Sequence, residues 1–474
     1  MEGSVGLECG WMMTTGNKRK HLAAVNITYR ICMVVVAVLL WAFFMSTLQP
    51  MPPLHPGTRM LLVVLYAVVL CIFCGIYHCL QLGKHRIREL TAWFSLALFF
   101  TNLFGWAEVI IINAHFIDIW LSLGMWVVQS LVGMLTIVPF TRRYYRAYEH
   151  KEMLAILSDT AYEKQTLVKL LRMPERFRLK RVVLEKDFDI VQIRAMLDGC
   201  NTIFVGEVKP GLKATLTEYC FENSVVLIVL PSPADIMFSG DAALQISDSI
   251  LFASENIGLT FQQRFFKRAL DIVVSVVVLV LSAIPIVVCA IIIKATDGGT
   301  VFFRQRRYTK DGALFTMVKL RSMSMDSEKD GARLATSDDD RITSIGRFMR
   351  RTRLDEVPQF VNVLKGEMSV VGPRAERLET TDAYTAADPA FSYRLKVKAG
   401  ITGYAQINGR YNTSYEDKIR MDLYYIEHYS LFRDFSEILE TLKVLFAPDS
   451  TAGFEEGQID EMISKSAKDP VREQ

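Results

Sequence analysis

Four long runs of apolar residues open the chain, at about 23–48, 60–82, 91–113 and 118–140. Each is as long as the roughly 20 residues a helix needs to cross a bilayer, so the pattern predicts four transmembrane helices. The first run is too long for a secretory signal peptide and lacks a small-residue cleavage site before the next span. Lys18, Arg19, Lys20 and Arg30 stand before or at the start of the first run, Lys84, Arg86 and Arg88 between the second and third, and Arg142, Arg143 and Arg146 after the fourth. The loops at 49–57 and 114–117 hold no Lys or Arg. Short cytoplasmic loops retain basic residues, so the N-terminal residues 1–22 and everything after Arg142 are expected on the cytoplasmic side. Within the block, Cys71 and Cys74 read as small packing residues and Glu108 as a paired or interfacial acid.

From Met153 the pattern changes to apolar runs of four to six residues, such as 153–157, 202–205 and 225–230, alternating with amphipathic stretches. Short strands separated by helices predict a parallel sheet covered by helices, a Rossmann-like α/β domain over 150–260. A dinucleotide fingerprint requires glycines directly after the first strand, because only they let backbone approach a pyrophosphate. The turn here reads Ser158-Asp159-Thr160-Ala161-Tyr162, which points to a structural or regulatory module.

A fifth apolar stretch, 272–293, runs for 22 uncharged residues. Both flanks are basic: Arg264, Lys267 and Arg268 before it, Lys294, Arg304, Arg306 and Arg307 after it. A simple crossing leaves one basic cluster on the wrong side. Pro285, three residues after Ser282, removes a helical hydrogen bond and kinks the axis. These features predict a re-entrant helix over 270–293 that breaks between Ser282 and Pro285 and returns to the face it entered, against the alternative of a straight crossing with a tolerated proline.

Composition narrows the function. A net charge of +3 gives no global attraction to nucleic acid, and none is expected as a partner. Hydrophobic residues make up 51% and mean hydropathy is +0.23, too apolar for a disordered chain and unusual for a wholly soluble one. Eight cysteines, most of them in apolar runs, form neither a disulfide scaffold nor a zinc module. Residues 295–450 contain no Cys and one His, His428, so chemistry there rests on carboxylates and cations.

The densest such stretch runs from Arg341 through Arg347, Arg350, Arg351 and Arg353 to Asp355 and Glu356. Ile342, Ile345, Phe348 and Met349 recur at helical spacing opposite the arginines, the profile of a helix lying on an anionic membrane surface. Asp355 and Glu356 then open a helix that Gly366 ends. They read plainly as a helix-capping pair, worth at most about 1 kcal/mol each. Arg350 before them and Arg374 in a Gly-Pro-Arg turn after them offer another reading, in which cations hold phosphate oxygens while the acids hold Mg²⁺ or attack phosphorus.

Ordered motifs from Phe266 to Thr441 make the region recognisable: Lys267-Arg268 with Asp271, Ser282 to Pro285, Phe302-Phe303-Arg304-Gln305, Lys319-Leu320-Arg321-Ser322-Met323, Arg341-Ile342-Thr343, Leu354-Asp355-Glu356-Val357-Pro358-Gln359, Gly372-Pro373-Arg374, Gly400-Ile401-Thr402-Gly403 and Gln406-Ile407-Asn408-Gly409-Arg410. The stretch resembles the bacterial sugar transferase family, the membrane-embedded polyprenyl-phosphate phosphoglycosyltransferases, and the whole chain resembles its long-form members. The resemblance implies an α+β catalytic domain over 264–447 that transfers sugar 1-phosphate from a UDP-sugar to undecaprenyl phosphate, releases UMP and begins a lipid-linked glycan. It implies that Asp355 is the nucleophile, forming a covalent phosphosugar, that Glu356 assists beside Mg²⁺, and that Arg350, Arg374, Lys319, Arg321 and Arg341 line the substrate phosphates. It also implies the re-entrant form of the fifth segment and a multi-pass protein of the bacterial inner membrane, with the lipid bilayer as a partner. Two rivals stand beside this: a catalytically silent membrane scaffold, and a glycosyltransferase releasing UDP. The sugar is left open, as is the oligomeric state, a homo-oligomer included.

Three departures mark the chain. Ala375 and Ala399 stand where the family has prolines, and Arg353 stands where a small polar residue is common. Loss of proline loosens turns beside the phosphate site. Residues 448–474, rich in Glu and without periodicity, read as a mobile tail.

Overall fold

The computed structural model describes residues 5–47, 55–83, 85, 87–113, 118–147, 151–173, 176–188, 193–197, 200–240, 243–246, 249–252, 258–324, 341–409 and 413–446. The segment 448–474 lies outside them. The chain divides into two compact units, the second made of the described residues from Val229 onward together with Ala161–Glu163.

The first unit opens with α1 (Val5–Thr47), α2 (Pro56–Ile76), α3 (Ile87–Asn113) and α4 (Trp120–Ala147). Each contains a stretch long and apolar enough to cross a membrane. Backbone polar groups inside a bilayer must bond within the segment, which is why such runs fold as helices. Their side-chain polar groups bond to one another. Gln129 Nε2 donates to the Ala37 carbonyl at 2.8 Å, Asn102 Nδ2 donates to Gln129 Oε1 at 2.7 Å, and Trp41 stacks on Tyr66 at 4.3 Å. Glu108, read from the sequence as a paired or interfacial acid, shows no pairing. It is buried, and neither carboxyl oxygen has a hydrogen-bond partner among the described residues.

After the helices come β1 (Lys151–Leu157), α5 (Ala161–Leu171), β2 (Phe177–Leu184), α6 (Ile193–Met196), β3 (Thr202–Val205), α7 (Pro210–Glu222) and β4 (Val226–Val229). They build a four-stranded sheet in the order β2-β1-β3-β4, with β1 parallel to both neighbours. Leu154, Ile156, Ile203 and Val205 fill its core with Leu216 and Cys220 of α7. In the turn after β1, Asp159 takes a left-handed backbone (φ 80°) and pairs with Lys164 at 2.9 Å.

The second unit carries α8 (Pro233–Ser239), β5 (Ala243–Ile246), β6 (Ser249–Phe252), α9 (Phe261–Asp297), β7 (Phe302–Tyr308), β8 (Leu314–Leu320), α10 (Ser344–Thr352), α11 (Gln359–Lys365), β9 (Ser369–Val371), α12 (Leu378–Ala387), β10 (Gly400–Thr402), α13 (Tyr404–Asn408), α14 (Tyr415–Glu427) and α15 (Leu431–Phe446). Helix α8, read from the sequence within the middle domain, packs here, with Ile236 against Phe391, Ile419 and Leu423. Strands β7 and β8 form an antiparallel hairpin, and β9 runs parallel to β10. Phe315, Met317, Val363, Met368, Val370 and Tyr425 make the core beneath them.

Helix α9 corrects the expected break at Ser282 to Pro285. It is one continuous helix, opened by a Thr260–Gln263 capping box, closed by left-handed Gly298, and it carries Pro285 in its interior. A single missing amide donor costs one helical hydrogen bond, which the apolar stretch on both sides tolerates. Polar pins hold its first turns. Lys267 Nζ, buried, donates to the Val371 carbonyl at 2.9 Å and pairs with Asp434 at 2.6 Å, while Tyr425 donates to the other Asp434 oxygen at 2.7 Å. Arg268 caps the end of α11 through the Val363 and Leu364 carbonyls. Asp271 accepts from Ser369 Oγ and the Val370 amide, both at 2.9 Å. Beyond Pro285, Cys289 and Ile293 pack on Leu320 and Met349.

Removing one partner from a buried ion pair strands the other charge. Asp434→Ala is expected to cost about 3–5 kcal/mol, and the double change Lys267→Met with Asp434→Leu to recover most of it. Thermal unfolding of the detergent-solubilised protein checks this; an unmoved midpoint for Asp434→Ala contradicts it. One turn further along α15, burial pushes the Glu437 carboxyl up from the usual 4.5 to about 8, with Arg433 at 3.4 Å opposing. A raised acid favours the folded state at low pH and loses that contribution as pH rises through about 8. Glu437→Gln should therefore raise the unfolding midpoint at pH 9 and leave it unchanged at pH 4. An equal gain at both removes the assignment.

Candidate active site

The acid pair is built by a forced reversal. Helix α10 starts at Thr343, whose hydroxyl accepts from the Gly346 amide at 3.0 Å, and ends at Arg353 in the left-handed region (φ 58°). A non-glycine residue there costs roughly 1–2 kcal/mol. The chain then makes one 3₁₀ turn, Leu354–Glu356, before α11 begins. Neither acid caps a helix, for no side-chain cap is made at α11, whose N-cap is Pro358. The capping reading from the sequence falls away. Asp355 is buried, and its Oδ1 has no hydrogen-bond partner among the described residues.

Four cations surround the pair. Arg374 and Arg353 lie 3.6 and 3.7 Å from Glu356 Oε1. Arg350 is held by Ser322, to whose Oγ its Nε donates at 2.9 Å. Lys319 on β8 lies with its ammonium 5.0 Å from the Phe303 ring centroid. Burial lowers the Lys319 pKa, with Asp355 and then Glu356 opposing. Asp355 is pushed up to about 6, first by burial and then by Glu356, against Lys319, Arg350 and Arg353. Such a carboxyl is poorly solvated and poorly bonded, while its cations oppose the rise in its pKa.

Of the residues marked from sequence, Lys319, Arg350 and Arg374 meet Asp355 and Glu356. Arg321 is buried beside Ile293, Thr296, Met323, Thr343 and Ile345, near the end of α9. Arg341 sits where its carbonyl accepts from the Ser324 amide at 2.9 Å. Ser282 and Pro285 lie within α9. The lipid-facing stripe expected near α10 divides: Met349 is buried and Ile345 packs on α9's end, while Phe348 is exposed.

Sequence reasoning missed several supports. Asn362 Oδ1 accepts from the Val318 amide at 3.2 Å, and its Nδ2 donates to the Thr316 carbonyl at 2.8 Å and to Glu367 at 2.6 Å, locking α11 to β8. A buried polar residue in an otherwise apolar helix was the available signal. Glycines bring the Arg374 turn into place. Gly400 donates to the Pro373 carbonyl at 2.8 Å and Gly372 to the Thr402 carbonyl at 2.9 Å, and a Cβ on Gly400 would strike the Gly372 backbone. The Ala399 departure has a use: its amide, which proline lacks, donates to Thr309 Oγ1 at 3.3 Å. Arg353, another departure, adds a cation to Glu356.

Among the described residues no group of three or more His, Cys, Asp or Glu side chains could hold a metal. Two adjacent carboxylates, one with an unbonded oxygen, still suit Mg²⁺, which takes one or two carboxylates and completes its shell with water and substrate phosphates. Beside Arg374 opens a small cleft lined by Tyr308, Pro373, Glu376, Thr381, Arg394 and Ala399 among others.

Comparison with known proteins places the second unit in a family. Residues 262–448 match the sequence model of the family described as bacterial sugar transferase. A UDP-N-acetylgalactosamine-undecaprenyl-phosphate N-acetylgalactosaminephosphotransferase of Aeromonas hydrophila is 38% identical over 184 residues, 38% of this chain and 44% of that protein. A UDP-glucose:undecaprenyl-phosphate glucose-1-phosphate transferase of Klebsiella pneumoniae is 43% identical, over 37% of this chain and 39% of that protein. A protein of the same description from Caulobacter vibrioides is 36% identical, over 39% of this chain and 71% of its own length. The chain thus spans about two-fifths of the length of the first two relatives.

Proposed function

Because the chain belongs to the bacterial sugar transferase family, we propose that it moves sugar 1-phosphate from a UDP-sugar to undecaprenyl phosphate and releases UMP. The observation that carries the reading is the buried Asp355 with an unbonded oxygen, set beside Glu356 and flanked by Lys319, Arg350 and Arg374. An Asp355 oxygen attacks the sugar-bearing phosphorus, the bond from that phosphorus to the bridging oxygen breaks, and UMP leaves with the electron pair. A phosphate oxygen of the lipid then attacks the same phosphorus and Asp355 departs as a carboxylate. Splitting one difficult displacement into two is the gain of covalent catalysis. Lys319, Arg350 and Arg374 hold phosphate oxygens, and Arg353 with Arg374 holds Glu356 in place. Asp355 and Glu356 would hold Mg²⁺, which supplies charge neutralisation for the attacked phosphates.

The membrane arrangement is part of the proposal. Helix α9 is re-entrant in the bilayer, curving at its proline rather than breaking there. Support comes from its contacts: Lys267 and Asp271 before Pro285, and Cys289 and Ile293 after it, all bind the same compact unit, while Leu281 and Ile284 between them are 75% and 78% exposed. With α1 to α4 anchored in a bacterial inner membrane, the Rossmann-like sheet and the catalytic unit face the cytoplasm, where UDP-sugars are found.

In lipid discs containing undecaprenyl phosphate and Mg²⁺, one UDP-sugar of a panel should yield UMP, and Asp355→Asn should lower the rate at least 10³-fold, about 4 kcal/mol of barrier. Release of UDP would make the protein an ordinary glycosyltransferase, and retained turnover in Asp355→Asn would remove it as nucleophile. For the topology, single cysteines placed at Gln262 and Thr300 of a cysteine-free variant should both resist an impermeant maleimide in intact cells. Labelling of one of the two rules out the re-entrant course.

A further inference from the structure

We infer that Arg394, with Asp422 behind it, is a positioning residue for Arg374 and supplies the restraint that a proline at 375 would give. The inference rests on the proposed reaction and deepens it, since Arg374 is one of the cations that hold phosphate oxygens there.

An arginine side chain is aimed by the two peptide planes that meet at its Cα. On one side of Arg374 the Gly400 amide donates to the Pro373 carbonyl at 2.8 Å. On the other side Arg394 Nη2 donates to the Arg374 carbonyl at 3.1 Å. With both planes pinned, the Arg374 side chain leaves its turn toward Glu356, 3.6 Å from Oε1. Ala375 gives the second bond its importance. A proline there would fix its own φ and confine the residue before it to extended backbone. Alanine does neither, and its amide makes no backbone hydrogen bond among the described residues. The carbonyl bond from Arg394 is the restraint that takes the place of the ring.

Arg394, in the 3₁₀ segment Pro389–Lys396, is itself held in place. Its Nη2 also meets Asp422 Oδ2 at 2.8 Å, so the two hydrogens of one nitrogen serve a carboxylate and a carbonyl. Its guanidinium carbon lies 4.7 Å from the Phe391 ring centroid. Arg394 and Asp422 are both buried, which keeps water from competing for either bond. Asp422 stands on α14, and one turn earlier on that helix Lys418 pairs with Glu376 at 3.3 Å. One helix therefore holds the segment at Arg374 and again two residues later. A buried ion pair adds little net stability, because desolvation offsets most of the attraction. What this pair adds is orientation: Asp422 fixes the guanidinium, and the guanidinium fixes the Arg374 carbonyl.

The test replaces the pair by apolar residues, Arg394→Met with Asp422→Leu, which removes the donor without stranding a charge. UMP release by the full chain in lipid discs is measured with undecaprenyl phosphate, Mg²⁺ and the UDP-sugar that the parent accepts. Loss of the charge-assisted hydrogen bond should lower kcat/KM for the UDP-sugar about 10-fold. Adding Ala375→Pro should bring it back to within about threefold of the parent, while Ala375→Pro alone changes it by less than about twofold. In an Arg374→Ala background the paired change should have no further effect, because the residue it positions is gone. A loss that adds in full to that of Arg374→Ala, no loss at all, or a loss that Ala375→Pro leaves untouched overturns the inference. A large loss from Ala375→Pro alone overturns it too, since the turn then does not accept the restraint. Should the apolar pair fail to fold, Asp422→Asn, which leaves Arg394 present but loosens its guanidinium, is read in the same way with a loss of about 3- to 10-fold. A parent that releases no UMP overturns both the inference and the reaction it rests on, whereas a parent that releases it leaves the reaction standing whatever the variants show.

Discussion

On the proposed reaction, a carboxylate that attacks phosphorus has to be stripped of water without being neutralised for good, and the surroundings of Asp355 in the second unit answer to that constraint. Asp355 loses its solvent to burial and has the Glu356 charge beside it, and both raise its pKa. The offset comes from cations, Lys319 on β8 and Arg350 and Arg353 at the end of α10. Each needs its own support. Arg350 leans on Ser322, and β8 is locked to α11 through Asn362. Even the left-handed Arg353 serves here, since the strained reversal is what turns two consecutive acids away from a helix start and toward the cations.

Helix α9 supplies the frame for that arrangement. Its charged first turns are tied to the backbone of β9 and α11, the elements on either side of the Arg374 turn and the acid pair. Buried ion pairs contribute little net stability, because desolvation offsets most of the attraction. Their value lies in register: Lys267 satisfies the Val371 carbonyl, Tyr425 and Asp434 only at one rotation of the helix. An apolar helix that must also live in lipid cannot be oriented by hydrophobic burial, since lipid and core are equally apolar, so polar pins at its end do the orienting.

Local signals in the sequence carried much of this. Apolar run length foretold the long apolar helices, alternation foretold the parallel sheet, and Arg350, Asp355, Glu356 and Arg374, singled out in the sequence, come together in the structure. Pairings across long separations left no such trace. Nothing near Lys267 indicates Asp434, 167 residues later, and nothing near Arg350 indicates Ser322. Pro285 was misleading for a physical reason: the rule that proline ends a helix holds in water, where the freed carbonyl finds a partner, whereas in an apolar run continuing the helix is the cheaper outcome. The stripe at Ile345 and Met349 was ambiguous in the same way, since lipid and the flank of α9 select the same residues.

The charge balance around the acids bears on the order of events. Lys319, Arg350, Arg353 and Arg374 outnumber Asp355 and Glu356, and Arg307 with Arg377 adds to the excess. Like charges held together at low dielectric repel, so the site is most stable when phosphate occupies it. On the proposed reaction a UDP-sugar brings two phosphates. Attack by Asp355 leaves one on the protein and sends the other out with the nucleotide, which reopens a cationic gap beside a phosphosugar that has lost its partner charge. That gap is an attractive place for the next phosphate to arrive, and the one carried by the lipid acceptor has the charge to fill it. Departure of the first product thus prepares the site for the second substrate, and a single set of cations serves both halves of the reaction.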